Sequence, residues 1–510
     1  MTNPLYDTLF GRHTGAGTPF LHLPGGRVLS HDAFLRMAGR FANAITQAGL
    51  VPGDRLAVQI AKSPEALAVY AACARAGVVF LPLNTAYTAA EVEYFVGNSG
   101  AKLLLCDSRA ATSLAPVAAQ HGARLETLDA DGTGSFATRA AACAEEFDTV
   151  PRSGDDLAAF LYTSGTTGRS KGAMLTQGNL LSNARVLTDC WRFTQGDVLL
   201  HALPIFHTHG LFVATNIMLL CGGAMIFHPK FDAAATIRDL PRATAMMGVP
   251  TFYTRLLDEP AFTAETCANM RLFVSGSAPL LAETHRRFEA RTGHTILERY
   301  GMTETNMNTS NPYEGERRAG TVGFPLPGVE LKICDAAGRA LPAGETGVIE
   351  VRGPNVFRGY WQMPEKTAEE LRPDGFFITG DLGRIDPDGY LEIVGRSKDL
   401  IISGGYNIYP KEIEDALDAQ PGVLESAVIG VPHPDFGESP LALIVPEGEG
   451  PDLEAVAAAL RAQLAGFKLP RRLILVQELP RNTMGKVQKA ALREAHADAL
   501  QQDAASAAQG

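Results

Sequence analysis

Residues 54–107 alternate between short apolar runs and helix-forming segments, and this alternation restricts the fold more than any other feature of the chain. The apolar runs, each short enough for a buried strand, are DRLAVQI (54–60), GVVFLPL (77–83) and AKLLLCD (101–107). Ser63 and Pro64 supply an N-cap and a first-turn proline for one intervening helix, and Thr88 with Glu91 forms a capping box for the next. Strand–helix–strand repetition at this spacing predicts a parallel, doubly wound α/β sheet.

The next predicted strand, LAAFLYT (157–163), leads into a glycine- and hydroxyl-rich segment, SGTTGRSKG (164–172). Open α/β sheets bind their ligands at this end of their strands. The segment does not follow the Walker pattern G-x-x-x-x-G-K-[ST]. Its hydroxyls and backbone N–H groups nevertheless suit phosphate oxygens, and Arg169 and Lys171 add positive charge. Taken alone, the segment fits a surface loop without a ligand equally well.

The amino-acid composition of the chain changes past residue 320. Gly, Pro and Asp are dense over 320–389, and apolar runs such as GVIEVRG (347–353) and YLEIVGR (390–396) predict a small antiparallel β subdomain. A compact α+β pattern begins after residue 399, so we predict a domain boundary near 396–399. The Ala- and Gln-rich tail is expected to fray.

Composition restricts the kind of partner. The chain has 510 residues, a net charge of −11 and seven cysteines. We expect no nucleic-acid partner, because such proteins present a basic face, and no membrane span, because no window approaches about 20 apolar residues. Widely spaced cysteines without C-x-x-C, and an N-terminus without a leader pattern, predict a cytoplasmic protein with buried, reduced thiols.

Three further segments carry candidate ligand-binding side chains. In LERYGMTETNMNTSNP (297–312), Tyr300 can stack on a base and Glu304 can bind Mg²⁺, which favours hard oxygen ligands. Asp381 follows the apolar run FFIT, so we expect it at a strand end, where its carboxylate can accept from a ribose hydroxyl. Lys486 lies in the turn-like segment LPRNTMGKVQK (479–489). Each of these residues alone also fits an ordinary surface or turn position.

In this order and at these separations, the four segments resemble the adenylate-forming superfamily of acyl-CoA synthetases, peptide-synthetase adenylation domains and luciferases. The resemblance covers roughly residues 5–495. It implies a large α/β N-terminal domain, a hinge with Lys398 as its hinge residue, a small α+β C-terminal lid domain and a flexible tail, over 1–396, 397–399, 400–495 and 496–510. Two positions depart from the common pattern: many members have Asp in place of Lys398 and Pro in place of Ser170.

The resemblance also implies site residues. Those that it assigns to ATP are Thr163, Ser164, Gly165, Thr166, Thr167, Gly168, Lys171, Ser277, Ala278, Pro279, Glu298, Tyr300, Gly301, Met302, Thr303, Asp381 and Arg396. Lys486, Glu304 and Thr166 are the implied catalytic residues of adenylate formation, the last two at Mg²⁺. The lid then turns about Lys398, and the implied lining of the coenzyme A tunnel is Ser403, Gly404, Gly405 and Tyr406.

Arg299 bears on the choice of acid. A cation beside the acyl site needs an anionic partner, because an unpaired buried charge is costly, and a second carboxylate on the substrate would supply one. The alternative partner is a protein carboxylate, Glu298 or Glu304. The stretch HALPIFHTHGLF (201–212) adds His207 and His209, of which we expect His207 to contact the acid and His209 to be structural.

With these residues the chain most resembles the malonyl-CoA synthetases (malonate–CoA ligases). That resemblance assigns Arg299, His207 and Ser277 to the distal carboxylate of malonate, with methylmalonate or another short dicarboxylate as further candidate acids. Other hypotheses are transfer to a carrier-protein phosphopantetheine, luciferase-type oxygenation and a non-catalytic AMP-binding scaffold. The pattern P-x-x-x-x-G-K at 480–486 resembles the acetylation site of some bacterial acyl-CoA synthetases, which makes a lysine acetyltransferase acting on Lys486 a candidate partner.

Overall fold

A computed structural model describes residues 2–163, 170–403, 406–433, 436–482 and 485–500. It contains two large sheets, a small antiparallel sheet and a C-terminal α+β region, as the sequence predicts. No helix in the described ranges is long and apolar enough to cross a membrane. All seven cysteines are free; five are buried as expected, whereas Cys190 and Cys221 are only partly buried.

The strands, in chain order, are β1 (Pro19–His22), β2 (Val28–Ser30), β3 (Arg55–Gln59), β4 (Val79–Pro82), β5 (Leu103–Cys106), β6 (Arg124–Thr127), β7 (Leu157–Thr163), β8 (Lys171–Thr176), β9 (Val198–His201), β10 (Ala224–Phe227), β11 (Ala245–Gly248), β12 (Leu272–Ser275), β13 (Leu297–Met302), β14 (Asn306–Ser310), β15 (Phe324–Pro325), β16 (Glu330–Cys334), β17 (Gly347–Arg352), β18 (Phe377–Ile385), β19 (Leu391–Arg396), β20 (Ile401–Ser403), β21 (Tyr406–Ile408), β22 (Val423–His433), β23 (Gly437–Pro446) and β24 (Arg472–Leu475).

The α-helices, in chain order, are α1 (Pro4–Leu9), α2 (His31–Gln47), α3 (Pro64–Ala76), α4 (Ala89–Ser99), α5 (Ala111–Gln120), α6 (Ser135–Ala141), α7 (Gln177–Cys190), α8 (Asn216–Cys221), α9 (Ala233–Asp239), α10 (Pro250–Leu257), α11 (Ala282–Thr292), α12 (Pro364–Glu370), α13 (Pro410–Asp418), α14 (Leu453–Gln463) and α15 (Lys489–Ala495). A π-helix, His209–Thr215, leads into α8.

The six-stranded sheet has the order β6-β5-β3-β4-β7-β8, parallel except for β8. Its strands and the caps at Ser63 and Thr88 lie where the sequence predicts them: Ser63 accepts from Ala66 N, and Thr88 and Glu91 form the capping box. Nearly every residue of α3 is buried. A helix that is apolar on all sides must be covered on all sides, so α3 lies in the interior.

The nine-stranded sheet has the order β15-β14-β13-β12-β11-β9-β10-β1-β2. Its strands from β13 to β1 pair in parallel, and the edge pairs are antiparallel. The carboxyl ends of β9, β12 and β13 therefore lie along one edge. The segments that follow them carry His207, Ser277 and Glu304, so the topology brings side chains distant in sequence to one place.

The antiparallel sheet β16-β17-β18-β19 corrects one expectation about Asp381. We predicted a strand end after the apolar run FFIT, but β18 continues to Ile385 and Asp381 lies within it. The strand continues because β19 pairs with it over this stretch, with Asp381 opposite Arg396, and the bonds across the pair satisfy the polar backbone. Asp381 is thus held on a rigid element.

The C-terminal region forms its own sheet, β21-β20-β23-β22, with β24 alongside β23. Its apolar core includes Ile413 and Leu417 of α13 and Val456 and Leu460 of α14. A short 3₁₀ turn, Ser397–Asp399, joins it to β19. Lys398 lies in this turn, where the hinge is predicted. The hinge and the domain boundaries remain predictions.

Candidate active site

Arg299 is the central feature of the candidate acid-binding pocket. It lies on β13, 4 % exposed, and its Nε and Nη2 atoms have no hydrogen-bond partner among the described residues. Burial lowers the pKa of the guanidinium to about 9, so the side chain is still charged at neutral pH. The guanidinium packs over Gly276, where an added Cβ would lie 2.3 Å from Arg299 Cζ. The glycine is needed because a side chain would displace the cation.

The two protein carboxylates considered as partners of Arg299 are engaged elsewhere. Glu298 points to the opposite face of β13, with Oε1 3.6 Å from His285 Nδ1 and 3.3 Å from Gly320 N. Burial raises the pKa of Glu298. Glu304 accepts from Tyr360, as described below. The protein-ion-pair interpretation of Arg299 is therefore wrong for the described residues.

Several buried polar side chains lie near Arg299, and some of their atoms lack a protein partner. Ser277 Oγ lies 3.2 Å from His209 Nδ1, and Arg299 is close enough to depress the pKa of His209 further below its ordinary value, after burial. In the described part of the chain, buried atoms without a hydrogen-bond partner include His207 Nε2, Thr208 Oγ1, His209 Nε2 and Ser275 Oγ. Buried polar atoms are normally paired, so this cluster is built for a polar ligand.

The roles expected for His207 and His209 toward the acid remain predictions. The sequence favoured His207 for the acid and a structural role for His209, whereas both histidines here present a buried, unpartnered Nε2. Burial lowers the pKa of His207 to about 4, so it is neutral at pH 7. Each ring can donate one hydrogen bond without adding charge. The only sign of this pair in the sequence is the H-x-H spacing of His207 and His209.

Ser277 is held in an unusual backbone conformation. Its φ is +74°, in the left-handed region that residues other than glycine rarely adopt. Such a conformation costs of the order of 1–3 kcal/mol and persists where the surroundings over-determine it. The turn from Gly276 to Pro279 follows β12 and places the Ser277 hydroxyl against His209. Ala278 and Pro279 continue this turn before α11 begins.

The predicted nucleotide side of the site lies on the other face of β13. The Tyr300 hydroxyl donates to Asp381 Oδ2 at 2.6 Å, and Arg396 Nε lies 2.6 Å from Asp381 Oδ1. Burial raises the pKa of Tyr300 well above its ordinary value, and Asp381 adds to the effect. Arg299 and Tyr300 are neighbours in sequence but point to opposite faces. One strand thus separates the predicted acid and nucleotide sites.

Glu304 lies in the turn after β13, beside the end of β7. Thr163 Oγ1 is 3.4 Å and Tyr360 Oη 3.0 Å from Glu304 Oε1. Burial raises the pKa of the Glu304 carboxyl. These hard oxygen donors fit Mg²⁺, which takes one or two carboxylates and completes its shell with phosphates and water. The described residues contain no group of three His, Cys, Asp or Glu side chains placed to hold a metal by themselves.

Lys171 is linked to Glu304 through two residues that sequence reasoning missed. Lys171 Nζ lies 3.1 and 3.2 Å from the Glu370 carboxylate oxygens and 4.1 Å from the Tyr360 ring centre. The Tyr360 hydroxyl is also 2.6 Å from Glu370 Oε2. No local signal marks Glu370, because its partner Lys171 is 199 positions earlier.

Some predicted residues lie outside the described ranges. Ser164, Gly165, Thr166, Thr167 and Gly168 do so, as do Gly404 and Gly405, and for Tyr406 only the backbone is described. Ser403 is buried at the end of β20. Gly301, Met302 and Thr303 end β13 and begin the Glu304 turn; Thr303 and His207 line one small cavity.

Lys486 is brought to the nucleotide side by the C-terminal region. The preceding Gly485 approaches α10, with 3.5 Å between its ideal Cβ position and the Thr251 side chain. The surrounding protein atoms, and then repulsion from Arg396, lower the pKa of Lys486 to about 8, although its side chain keeps contact with solvent. Lys486, Arg396 and Asp381 are therefore electrostatic neighbours although the chain separates them widely.

Comparison with known proteins identifies the family. The sequence profile of the AMP-binding enzymes matches residues 12–361, and that of the AMP-binding enzyme C-terminal domain matches 412–486. The chain belongs to the AMP-binding enzyme family. It is 37 % identical over 477 residues to feruloyl-CoA synthase from Amycolatopsis sp, covering 92 % of this chain and 94 % of that protein. Its identity to malonate–CoA ligase from Arabidopsis thaliana is also 37 %, over 485 residues that cover 88 % of this chain and 78 % of that protein.

Solved structures of this family also resemble the chain. ATP-bound MatB from Rhodopseudomonas palustris superposes with a TM-score of 0.96 at 55 % identity, covering 98 % of this chain and 100 % of that one. Apo MatB, at the same identity and coverage, superposes with a TM-score of 0.86. The arrangement of this chain is thus more similar to that of the ATP-bound structure.

Proposed function

We propose that this AMP-binding enzyme is an ATP-dependent malonate–CoA ligase. It converts malonate to malonyl-adenylate with release of pyrophosphate, and then to malonyl-CoA with release of AMP. The observation that carries the choice of acid is Arg299, a buried cation whose free N–H groups have no protein acceptor among the described residues. A guanidinium fork suits a carboxylate, and the distal carboxylate of malonate supplies the missing anion.

The two 37 % relatives do not by themselves choose this acid, because the feruloyl-CoA synthase and the malonate–CoA ligase are equally similar to the chain, whereas MatB is more similar, at 55 % identity. Ferulate has one carboxylate, which reacts, and an aromatic body that would leave Arg299 desolvated and unpaired. Malonate has a second carboxylate about one carbon away from the reacting one. The unpartnered Nε2 atoms of His207 and His209 supply further donors. The pocket therefore favours a short dicarboxylate.

The first step joins two anions. A carboxylate oxygen of malonate attacks the α-phosphorus of ATP, and the bond to the bridging oxygen of pyrophosphate breaks. Lys486, still protonated at pH 7, is proposed to lie between the carboxylate and the α-phosphate and to stabilise the charge that develops there. Lys171 and the hydroxyls that follow Thr163 are proposed to hold the phosphates. Mg²⁺ held by Glu304, with Thr166 as a further proposed contact, would offset phosphate charge.

The second step transfers the acyl group to sulfur. The thiolate of coenzyme A attacks the carbonyl carbon of malonyl-adenylate, and AMP leaves with the electron pair of the broken C–O bond. Asp381 and Arg396 are proposed to keep the ribose in place, with Tyr300 against the adenine. Lys398 is proposed as the hinge about which the C-terminal region turns, bringing the Ser403–Tyr406 segment to the thiol.

The decisive test is a panel of acids. Pyrophosphate release should be fastest with malonate, slower with methylmalonate, and at least about 100-fold slower with acetate or ferulate, a loss of roughly 2.7 kcal/mol of transition-state stabilisation. Acetate or ferulate turned over as well as malonate contradicts the proposal. Replacing coenzyme A by a phosphopantetheine-loaded carrier protein tests the acceptor, and the proposal requires coenzyme A to be the better one.

A regulatory proposal attaches to Lys486. Acetylation would remove the positive charge that adenylate formation needs, and the lysine follows the P-x-x-x-x-G-K pattern. Incubation with a lysine acetyltransferase and acetyl-CoA should abolish pyrophosphate release, and a deacetylase should restore it. Mass spectrometry that finds Lys486 unmodified after this treatment contradicts the proposal.

A further inference from the structure

A partly buried lysine, Lys62, lies next to the segment that carries the two histidines. Its Nζ is 2.9 Å from each of three acceptors: His201 Nδ1, His201 O and Leu203 O. It also lies 4.3 Å from the ring centre of Phe227. Burial lowers the pKa of Lys62 well below its ordinary value, and no carboxylate among the described residues pairs with it. The amine is thus held only by neutral groups.

His201 connects the two ends of the histidine segment. It ends β9, and its Nε2 lies 2.8 Å from the carbonyl oxygen of Gly210, which also accepts from Thr215 Oγ1 at 2.9 Å. The carbonyl oxygen of Gly210 can only accept, so His201 Nε2 carries the hydrogen and donates to it, which leaves Nδ1 as an acceptor for Lys62 Nζ. The ring therefore closes the segment 202–209 into a loop.

The far end of this loop is closely packed. A Cβ at Gly210 would lie 2.0 Å from the carbonyl oxygen of Pro204, so the loop crosses its own backbone at a position that only glycine permits. His207 lies within the loop, and His209 follows at the start of the π-helix. The contact between His209 and Ser277 therefore depends on where the loop is held.

We propose that Lys62 is a positioning residue that fixes the 202–209 loop and thereby aims His207 and His209 at the acid beside Arg299. The three acceptors around Lys62 Nζ, each at 2.9 Å, engage its N–H donors, so the amine is directed at His201 and the backbone of the loop rather than at a ligand. Lys62 thus acts through His201 and the backbone of the loop. This inference rests on the proposed function, since it concerns how that acid is bound.

The kinetic test compares Lys62→Met with Lys230→Met. Methionine keeps the length of the stem and removes the N–H donors. Lys62 and Lys230 both line a cavity of about 320 Å³, where Lys230 is exposed. In pyrophosphate release, Lys62→Met should lower kcat/KM for malonate roughly 10- to 100-fold through KM, the usual cost of a small misplacement. KM for ATP should stay within about twofold, and Lys230→Met should match the wild type.

Hydrogen exchange tests the positioning without any substrate. Amides of peptides covering 202–210 should exchange faster in Lys62→Met than in the wild type or in Lys230→Met, while peptides of β18 and β19 stay unchanged. Exchange of 202–210 equal to the wild type overturns the proposal. So does an equal rise in KM for malonate and ATP, since that indicates general destabilisation.

The exchange result also separates this inference from the proposed function. A wild-type enzyme that does not use malonate refutes the function, whereas the exchange of 202–210 still decides whether Lys62 positions the loop. If Lys62→Met fails to fold, the same two measurements are made on the milder variant Lys62→Gln, which keeps N–H donors on a shorter side chain. In Lys62→Gln, a smaller rise in the exchange of 202–210, together with a higher KM for malonate and an unchanged KM for ATP, supports the proposal. Exchange equal to that of the wild type overturns it.

Discussion

Replacing Arg299 by methionine should make the protein more stable and a much poorer enzyme. Burial lowers the pKa of the Arg299 guanidinium from its ordinary value to about 9, a fall of three to four tenfold steps in proton affinity, each worth about 1.4 kcal/mol. The folded protein therefore carries of the order of 5 kcal/mol of desolvation cost at this side chain. Methionine removes that cost and fills much of the same space, and comparable replacements have stabilised proteins by about 1–4 kcal/mol.

The same substitution removes the partner of the distal carboxylate. Truncating one member of a buried charge pair costs roughly 2–5 kcal/mol, so kcat/KM for malonate should fall about 30- to several-thousand-fold. Thermal unfolding by differential scanning fluorimetry and pyrophosphate release report the two effects on one preparation. KM for ATP should be unchanged, because the nucleotide side lies on the other face of β13.

Arg271 provides the matched control. It is a partly buried arginine that holds Asp197 with Nε 2.7 Å from Oδ1 and Nη2 3.0 Å from Oδ2. Arg271→Met leaves Asp197 buried and unpaired, so it should lower stability by roughly 3–5 kcal/mol without a change in KM for malonate. The reasoning is refuted if Arg299→Met is destabilised as strongly as Arg271→Met while it keeps wild-type kinetics with malonate.

Three other perturbations follow from the geometry. Gly276→Ala should lower kcat/KM for malonate at least about tenfold, because its Cβ would occupy the space of the Arg299 guanidinium; unchanged malonate kinetics in this variant contradict the packing. Adenylate formation should decline as pH rises through about 8, where Lys486 loses its proton, and a rate that stays flat to pH 10 contradicts that role. Burial and the stacked ring of His13 lower the pKa of His31 to about 4, so its neutral form stabilises the fold above pH 6.5. That stability, about 2 kcal/mol between pH 7.5 and 5, should be lost on acidification in urea titrations, and His31→Gln should remove this part of the pH dependence.

Local patterns predicted much of the fold because they depend on neighbouring residues. The strand at 157–163, the capping box at Thr88 and the helix after Ser63 need only a few adjacent side chains, and all lie where expected. Asp381 was misplaced because the strand that continues past it is stabilised by β19, which no local window contains. Each of the four segments alone is weak evidence for the family. Their order along the chain is strong evidence, because chance rarely places all four in one sequence.

The sequence by itself determined the elements, the family and the residue types of the site. It could not decide whether Arg299 is paired, because that depends on which carboxylates face it once β12 and β13 lie side by side. Only the tertiary structure turned Glu298 toward His285, placed Gly276 under the guanidinium and left Arg299 Nε and Nη2 without a hydrogen-bond partner among the residues that the structure describes. It also joined Lys62 to His201, 139 positions apart, and Lys171 to Glu370, 199 positions apart. Hydrogen bonds and charge pairs act over a few ångströms, so contacts between distant positions exist only after the chain has folded.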